Sequence, residues 1–300
     1  MKPIKSKIAS EKIAVIGSGV VGQATGKGFI SKGYSVTFID TNERIISTLR
    51  KQGYQAFTPQ EYDEKQLTCD ISFVSVPTPT EDNVINLEYL KKACIDLGIR
   101  LKRMPGYHLV VTRSTLLPGT NKNIVIKTLE VYSQKKEGIN FGLCFNPEYL
   151  REKSAETDFA KPWIVIIGEN SKKSGDLLEG VYKNFGSKIY RITIEEAEIQ
   201  KYIHNLYNAV KISFFNEFRE ICSDMNLDSS VVFDLVTKSC EGIWNPKYGT
   251  LDFGPFDGVC LPKDTQAFYS WAKQNGYLMK VLGSAIESNK DFAEYIRLKS

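Results

Sequence analysis

Lys12-Ile13-Ala14-Val15-Ile16-Gly17-Ser18-Gly19-Val20-Val21-Gly22 decides the fold. The first five residues are a short apolar run, as a buried parallel strand requires. Three glycines follow in the spacing Gly-x-Gly-x-x-Gly, then a helical stretch from Gln23 to about Ser31 and a second strand, Tyr34 to Ile39, ending at Asp40. Strand, glycine turn, helix, strand and acid in this order make one βαβ unit. Gly17 permits the tight turn, Gly19 lets a pyrophosphate approach the backbone, and Gly22 lets helix and strand close together. The exposed amides at Val20 and Val21, with the helix dipole behind them, favour phosphate. Asp40 stands where a carboxylate accepts from both ribose hydroxyls and repels a 2′-phosphate, which favours NAD over NADP.

The alternation continues beyond this unit. Ile71 to Val76 reads as a strand stopped by Pro77 and Pro79, Leu87 to Leu101 as helix, His108 to Thr112 as strand and Asn121 to Tyr132 as helix. Leu143–Phe145 and Ile164–Ile167 supply two more strands, and Lys188–Tyr190 an edge. Strands alternating with helices predict an α/β Rossmann-type, doubly wound parallel sheet covered on both faces. After about residue 192 the pattern changes. Glu195 to Cys222 contains no Gly or Pro and reads as one long helix, with Ile199, Tyr202, Ile203, Leu206, Val210 and Phe214 spaced for one buried face. Shorter helices are expected at Ser229–Lys238, Lys263–Gln274 and Leu278–Ala293. The expected organisation is a cofactor domain over residues 1–192 and an all-helical domain, built on the long helix, over residues 193–300.

Composition narrows the function classes. With 42% hydrophobic and 25% charged residues the chain is an ordinary soluble globular sequence, and its net charge of +4 is unclustered, which argues against a nucleic-acid partner. Cys69, Cys94, Cys144, Cys222, Cys240 and Cys260 form no Cys-x-x-Cys pair, so neither zinc nor a disulfide framework is expected. All but Cys260 are read as core residues, and His204 as structural. Met1 to Glu11 lacks the apolar centre of a leader, and no run of about 18 apolar residues spans a membrane. A cytoplasmic location is the resulting expectation.

Six motifs occur in order: Gly17–Gly22; Val76-Pro77-Thr78-Pro79; Ser114-Thr115-Leu116-Leu117-Pro118-Gly119-Thr120; Asn146-Pro147-Glu148-Tyr149-Leu150-Arg151-Glu152; Lys201-x-x-x-Asn205 with Asn216-Glu217; and Cys260-Leu261-Pro262-Lys263-Asp264. Together they resemble the UDP-glucose/GDP-mannose dehydrogenase family over nearly the whole chain. The resemblance implies oxidation of the C6 alcohol of a nucleotide sugar to a carboxylate, with two NAD+ used in succession; UDP-glucose is the first expectation. It implies Cys260 as a nucleophile passing through a thiohemiacetal and a thioester, with Asp264, Glu152 and a Thr115-bound water assisting proton transfer and Glu148 lining the same region. By the same resemblance Val76, Pro77, Thr78, Ser114, Thr115 and Glu152 contact the cofactor, Glu148, Tyr149, Leu150, Lys201, Asn205 and Gly258 the substrate, and the long helix builds a homodimer.

Chemistry supports part of this independently. Lys201 and Asn205 lie four apart in a helix, so a cation and an amide donor share one face, suited to an alkoxide or oxyanion. Glu148 and Glu152 share a side if their segment is helical. Lys263 brings a cation beside the thiol, the electropositive setting in which thiolates form.

Departures from the family pattern are also visible. Asp257 replaces one of two glycines before the cysteine, Lys247 is the nearest substitute for a loop arginine, and the segment from Gly53 to Asp70 is short and lacks Glu-Pro-Gly. Family members usually continue for another domain beyond the point where this sequence stops, Ser300. Two alternatives stay open: a β-hydroxyacid-type dehydrogenase, which needs no cysteine, and a non-catalytic NAD-binding partner.

Overall fold

Alternate residues of the first strand, β1 (Lys12–Ile16), enter two different cores, because successive side chains of a strand point to opposite faces. Ile13 and Val15 pack into one cluster, Ala14 and Ile16 into the other. A strand covered on both sides therefore reads as an unbroken apolar run. The computed structural model describes residues 11–250 and 254–299, so the leader reading of Met1 to Glu11 lies almost wholly outside the described residues.

The chain then runs α1 (Val20–Ser31), β2 (Ser35–Ile39), α2 (Glu43–Lys51), β3 (Gln55–Phe57), α3 (Pro59–Glu64), β4 (Ile71–Val74), a hairpin of β5 (Thr80–Glu81) and β6 (Val84–Ile85), α4 (Glu88–Arg103) and β7 (His108–Thr112). A π-helical turn, Asn121–Ile126, leads into α5 (Lys127–Ser133). Then come β8 (Phe141–Phe145), α6 (Ala155–Ala160), β9 (Val165–Glu169), α7 (Lys172–Tyr182) and β10 (Ile189–Thr193). The eight-stranded sheet has the order β3-β2-β1-β4-β7-β8-β9-β10. Strand order reverses between β1 and β4, which opens a crevice at their carboxyl ends. One face is closed by Phe29, Phe159, Tyr182 and Phe185, the other by Leu90, Leu97, Leu101, Val125 and Leu129.

Three expectations are corrected here. The sheet is not wholly parallel, since β9 runs antiparallel to β8. The chain leaving β8 stays at the carboxyl edge, where Asn146 Nδ2 donates to the Ile166 carbonyl at 2.7 Å, so the next strand starts there and runs back. Strand β4 ends at Val74, not Val76, and α1 starts at Val20, not Gln23. Five helices (α2, α3, α6, α7 and one noted below), strand β3 and the small hairpin are not among the elements expected from the sequence. Local signals did exist: Asn42 caps α2 through its side chain, and Thr58 with Glu61 forms a capping box on α3.

Both edges of the sheet are guarded. Strand β3 has only three residues. On β10, Arg191 pairs with Glu169 at 2.5 Å, Asp176 at 2.5 Å and Glu179 at 2.9 Å.

Compact units divide between Ile203 and His204, inside α8 (Ile194–Asp224). The second unit holds the rest of α8 with α9 (Ser229–Ser239), α10 (Glu241–Trp244, the fifth unread helix), α11 (Leu261–Gln274) and α12 (Lys280–Lys299). Its core joins Ile221, Ala272, Met279, Leu282 and Ile286, with Phe218 and Phe268 packed against it. The α8 stripe is a further correction: Ile199, Ile203, Leu206 and Val210 are all exposed in the single chain rather than buried. Cys240 is likewise exposed rather than part of a core. Among the described residues no helix is long and apolar enough to cross a membrane.

Candidate active site

The glycine turn fits a dinucleotide by the space it leaves. Gly17 has φ +86°, and a Cβ there would lie 2.7 Å from the Ser75 carbonyl oxygen; one on Gly22 would lie 1.9 Å from that of Gly17. A Cβ on Gly19 would meet nothing within 4 Å, so this position faces open space beside the first amides of α1, those of Val20 and Val21. Helices leave their first four amides without intrahelical partners, which suits a diphosphate. Asp40 accepts from the Ser18 amide at 2.6 Å and the Asn42 amide at 2.8 Å, which fixes its carboxylate at the end of β2. It borders a cleft of about 220 Å³ shared with Gly17, Val76 and Pro77, a place for the adenosine half.

Two cross-links join the carboxyl ends of β4 and β7. Ser114 Oγ donates to the Val76 carbonyl at 2.6 Å, and Thr78 Oγ1 to the Thr115 carbonyl at 3.0 Å. The residues expected around the cofactor, Gly17 to Gly22, Asp40, Val76 to Thr78, Ser114 and Thr115, thus meet along one edge of the sheet.

The same edge carries the expected substrate residues of the first unit. Residues 146–151 are irregular and Glu152 begins a three-residue 3-10 turn, so the helical argument for Glu148 and Glu152 sharing a side does not hold. The side chain of Glu152 lies outside the described residues. Glu148 accepts from the Leu150 amide at 2.6 Å and lies 3.5 Å from the ammonium of Lys201. Lys201 also donates to the Glu148 carbonyl and stands 4.9 Å from the centre of the Tyr149 ring. It is only 5% exposed, and burial pushes its ammonium below the usual lysine range against the pull of Glu148. Tyr149 donates to Gln200 and is pushed up to about 12, chiefly by burial. A buried lysine held by one carboxylate and one carbonyl is a charge placed where water is scarce, as oxyanion stabilisation requires.

Two further buried groups were not read from the sequence. Arg113, 4% exposed, donates to Asn146 Oδ1 and to the Tyr182 hydroxyl at 3.1 Å and stacks on Phe159. Glu198, on α8 one turn before Lys201, is fully buried. Their signals were adjacency alone: Arg113 directly precedes Ser114, and Glu198 sits three before Lys201.

In the second unit Cys260 is the N-cap of α11, with Pro262 in the first turn, where its missing amide donor is no loss. The Cys260 thiol is exposed, and the Cys260 carbonyl accepts from the Asp264 amide at 2.9 Å. Lys263 lies 2.5 Å from the Asp264 carboxylate, so its charge is matched by that neighbour. Gly258 has φ +87°, a conformation in which glycine is at ease, and Asp257 beside it is exposed. Asn205 is exposed on α8. Glu217 accepts from the Val281 amide at 2.8 Å and so ties α8 to the start of α12.

Known proteins resemble the chain over most of its length. The family model described as "UDP-glucose/GDP-mannose dehydrogenase family, NAD binding domain" matches residues 50–186, and that for the central domain of the same family matches residues 195–291. The first βαβ unit, residues 12–81, also matches the NAD-binding domain of 3-hydroxyacyl-CoA dehydrogenases. GDP-mannose 6-dehydrogenase of Pseudomonas aeruginosa is 33% identical over 93% of this chain and 68% of its own length. UDP-glucose 6-dehydrogenase AglM of Haloferax volcanii is 30% identical over 93% of this chain and 69% of its own. The crystal structure of a ternary complex of the Pseudomonas aeruginosa GDP-mannose dehydrogenase superposes with a TM-score of 0.87 at 32% identity, covering 93% of this chain and 68% of that one. The first unit is an NAD-binding domain, and the chain belongs to the UDP-glucose/GDP-mannose dehydrogenase family.

Proposed function

We propose that the protein oxidises C6 of a nucleotide sugar to the acid in two NAD-dependent steps. The buried Lys201–Glu148 pair, at the sheet edge that carries the glycine turn, supports this reading most directly. Bound NAD+ supplies a hydride acceptor, and the rest of the work falls to side chains. A Thr115-held water, with Lys201 steadying the alkoxide, takes the C6 hydroxyl proton as hydride leaves that carbon and the aldehyde forms. The Cys260 thiolate adds to the aldehyde carbon, giving a thiohemiacetal whose oxygen takes a proton. Loss of that proton and of a second hydride, to a second NAD+, leaves a thioester. Water, activated by Asp264 or Glu152, adds to the thioester; the C–S bond breaks, the thiolate returns and the carboxylate departs. Asn205 donates a hydrogen bond to the developing oxyanion. Tyr149, Leu150 and Gly258 contact the sugar nucleotide.

UDP-glucose, the first expectation from the sequence, and GDP-mannose now stand level as candidate substrates, since relatives named for each sugar match at similar identity. We also infer a homodimer formed through the stripe Ile203, Leu206 and Val210, because these three large apolar side chains stand exposed at helical spacing on α8. A cytoplasmic location accords with these soluble substrates.

The test is turnover of the purified chain with NAD+ and a panel of UDP- and GDP-sugars. Two NADH per sugar are expected, and Cys260→Ser should abolish uronate formation. Uronate formed at the wild-type rate by Cys260→Ser removes the thioester step. No NADH from any sugar, with NAD+ binding intact, removes the activity from this chain.

A further inference from the structure

Glu198 accepts hydrogen bonds from the Gly119 amide at 2.5 Å, the Asn121 amide at 2.9 Å and Asn121 Nδ2 at 2.9 Å. The Asn121 side chain in turn accepts from Thr112 Oγ1 at 2.6 Å, at the end of β7. No cation pairs with Glu198 among the described residues. Its counter-charge is the amino end of the helical stretch that begins at Asn121, capped here by a side chain from another element. Three converging N–H donors suit a carboxylate, whose two oxygens only accept when it is ionised. A carboxylate stripped of water is otherwise costly, and burial does push Glu198 above the usual glutamate range.

Lys201 follows one turn later on the same helix face and holds the loop after β8 through the carbonyl and carboxylate of Glu148. Two buried charged groups on a single turn of α8 therefore fasten two loops. Glu198 grips the one that carries Thr115, and Lys201 the one that carries Glu148. We propose that Glu198 is a positioning residue that holds the Thr115 loop in register with Lys201. This rests on the function proposed above, in which Thr115 and Lys201 belong to the reacting site.

The test compares the full chain with Glu198→Gln and Glu198→Asp. Glutamine keeps the shape but turns a donor toward a donor; aspartate keeps the charge but falls one methylene short. Backbone amide resonances are the first readout. In both variants those of Gly119 and Asn121 should move, and those of Thr115 and Lys201 should move with them. NAD+ affinity, measured by titration calorimetry, should fall far less than turnover, because the glycine turn that cradles the diphosphate does not depend on Glu198, even though Thr115 lies beside the cofactor. Turnover should fall about a hundredfold at temperatures where the variants remain folded, the size of effect expected when reacting groups are misplaced by about 1 Å. A role confined to stability would lower the melting temperature and leave turnover per folded molecule intact, which overturns the proposal. So does NAD+ affinity falling by the same factor as turnover. Resonance changes confined to Gly119 and Asn121, with Thr115 and Lys201 unmoved, overturn it whether or not the wild-type chain turns over any sugar. If Glu198→Gln does not fold, Glu198→Asp gives the same readings.

Discussion

Gly19→Ala and Gly22→Ala add the same methyl group at two points of one turn, and the structure assigns them opposite outcomes. At Gly19 the backbone is extended, φ −69° and ψ −163°, and the new Cβ meets no protein atom within 4 Å. The substitution should leave the melting temperature nearly unchanged. The methyl would instead occupy the approach to the first amides of α1. Loss of one hydrogen bond to a charged group is worth roughly 1.5–3 kcal/mol, which weakens NAD+ roughly ten- to a hundredfold. At Gly22 the Cβ would sit 1.9 Å from the Gly17 carbonyl oxygen, where contacts under 3.0 Å are essentially never seen, so α1 must retreat by about 1 Å. Overpacking of this kind costs roughly 1–3 kcal/mol of stability and shifts the amides as well. Calorimetric titration with NAD+ and with ADP-ribose, alongside thermal melting, reads both effects. Gly19→Ala binding NAD+ as tightly as wild type would refute the cradle, and Gly19→Ala melting as low as Gly22→Ala would refute the geometry behind it.

Three other outcomes follow from the same edge of the sheet and from its opposite end. Asp40→Ala removes the acceptor that the Ser18 and Asn42 amides hold in place, so NAD+ should bind about tenfold more weakly and NADP+ lose less, read as the ratio of the two affinities. Lys201→Met leaves the Glu148 carbonyl and carboxylate without their ammonium. It should lower stability by roughly 3 kcal/mol in denaturant unfolding and turnover by a hundredfold or more. His108 is buried between Ser72 Oγ at 3.0 Å and the Cys69 carbonyl at 3.1 Å, and burial lowers its pKa from 6.5 to about 4. The unfolded chain therefore binds the proton more tightly, so this contribution is complete above pH 6.5 and drains away as pH falls toward 4. About 3 kcal/mol is at stake over that window, and unfolding of His108→Gln should show a flatter slope there.

The cofactor half was legible because its determinants are local. Gly17, Gly19 and Gly22 act through backbone conformation and space, and Asp40 through its position at a strand end, so spacing alone carried them. The Lys201 site was legible only in part. Spacing places Lys201 and Asn205 on one helix, but that Lys201 is buried against Glu148 depends on the path of residues 146–151. That path is irregular, and no periodicity announces it. Glu198 and Arg113 were missed because each looks like an ordinary surface charge in sequence, and their burial is a product of packing. The α8 stripe misled in the other direction. An apolar repeat states that a face avoids water, not whether the same chain covers it. The reversal of β9 was invisible for a related reason, since a short apolar run such as Ile164–Ile167 reads alike in either direction.

The guarded sheet edges have a consequence for self-association. An open edge presents a row of unpaired amides and carbonyls on which another chain can build. Here β3 is too short to template much, and the Arg191 hub crowds β10 with one cation and three carboxylates. A foreign strand docking there would have to lie beside this charged cluster. Concentrated or heat-stressed protein should therefore resist growth of cross-β aggregates from its folded state. Copies that do meet are left to meet through helix faces, where contact can be reversible and symmetric.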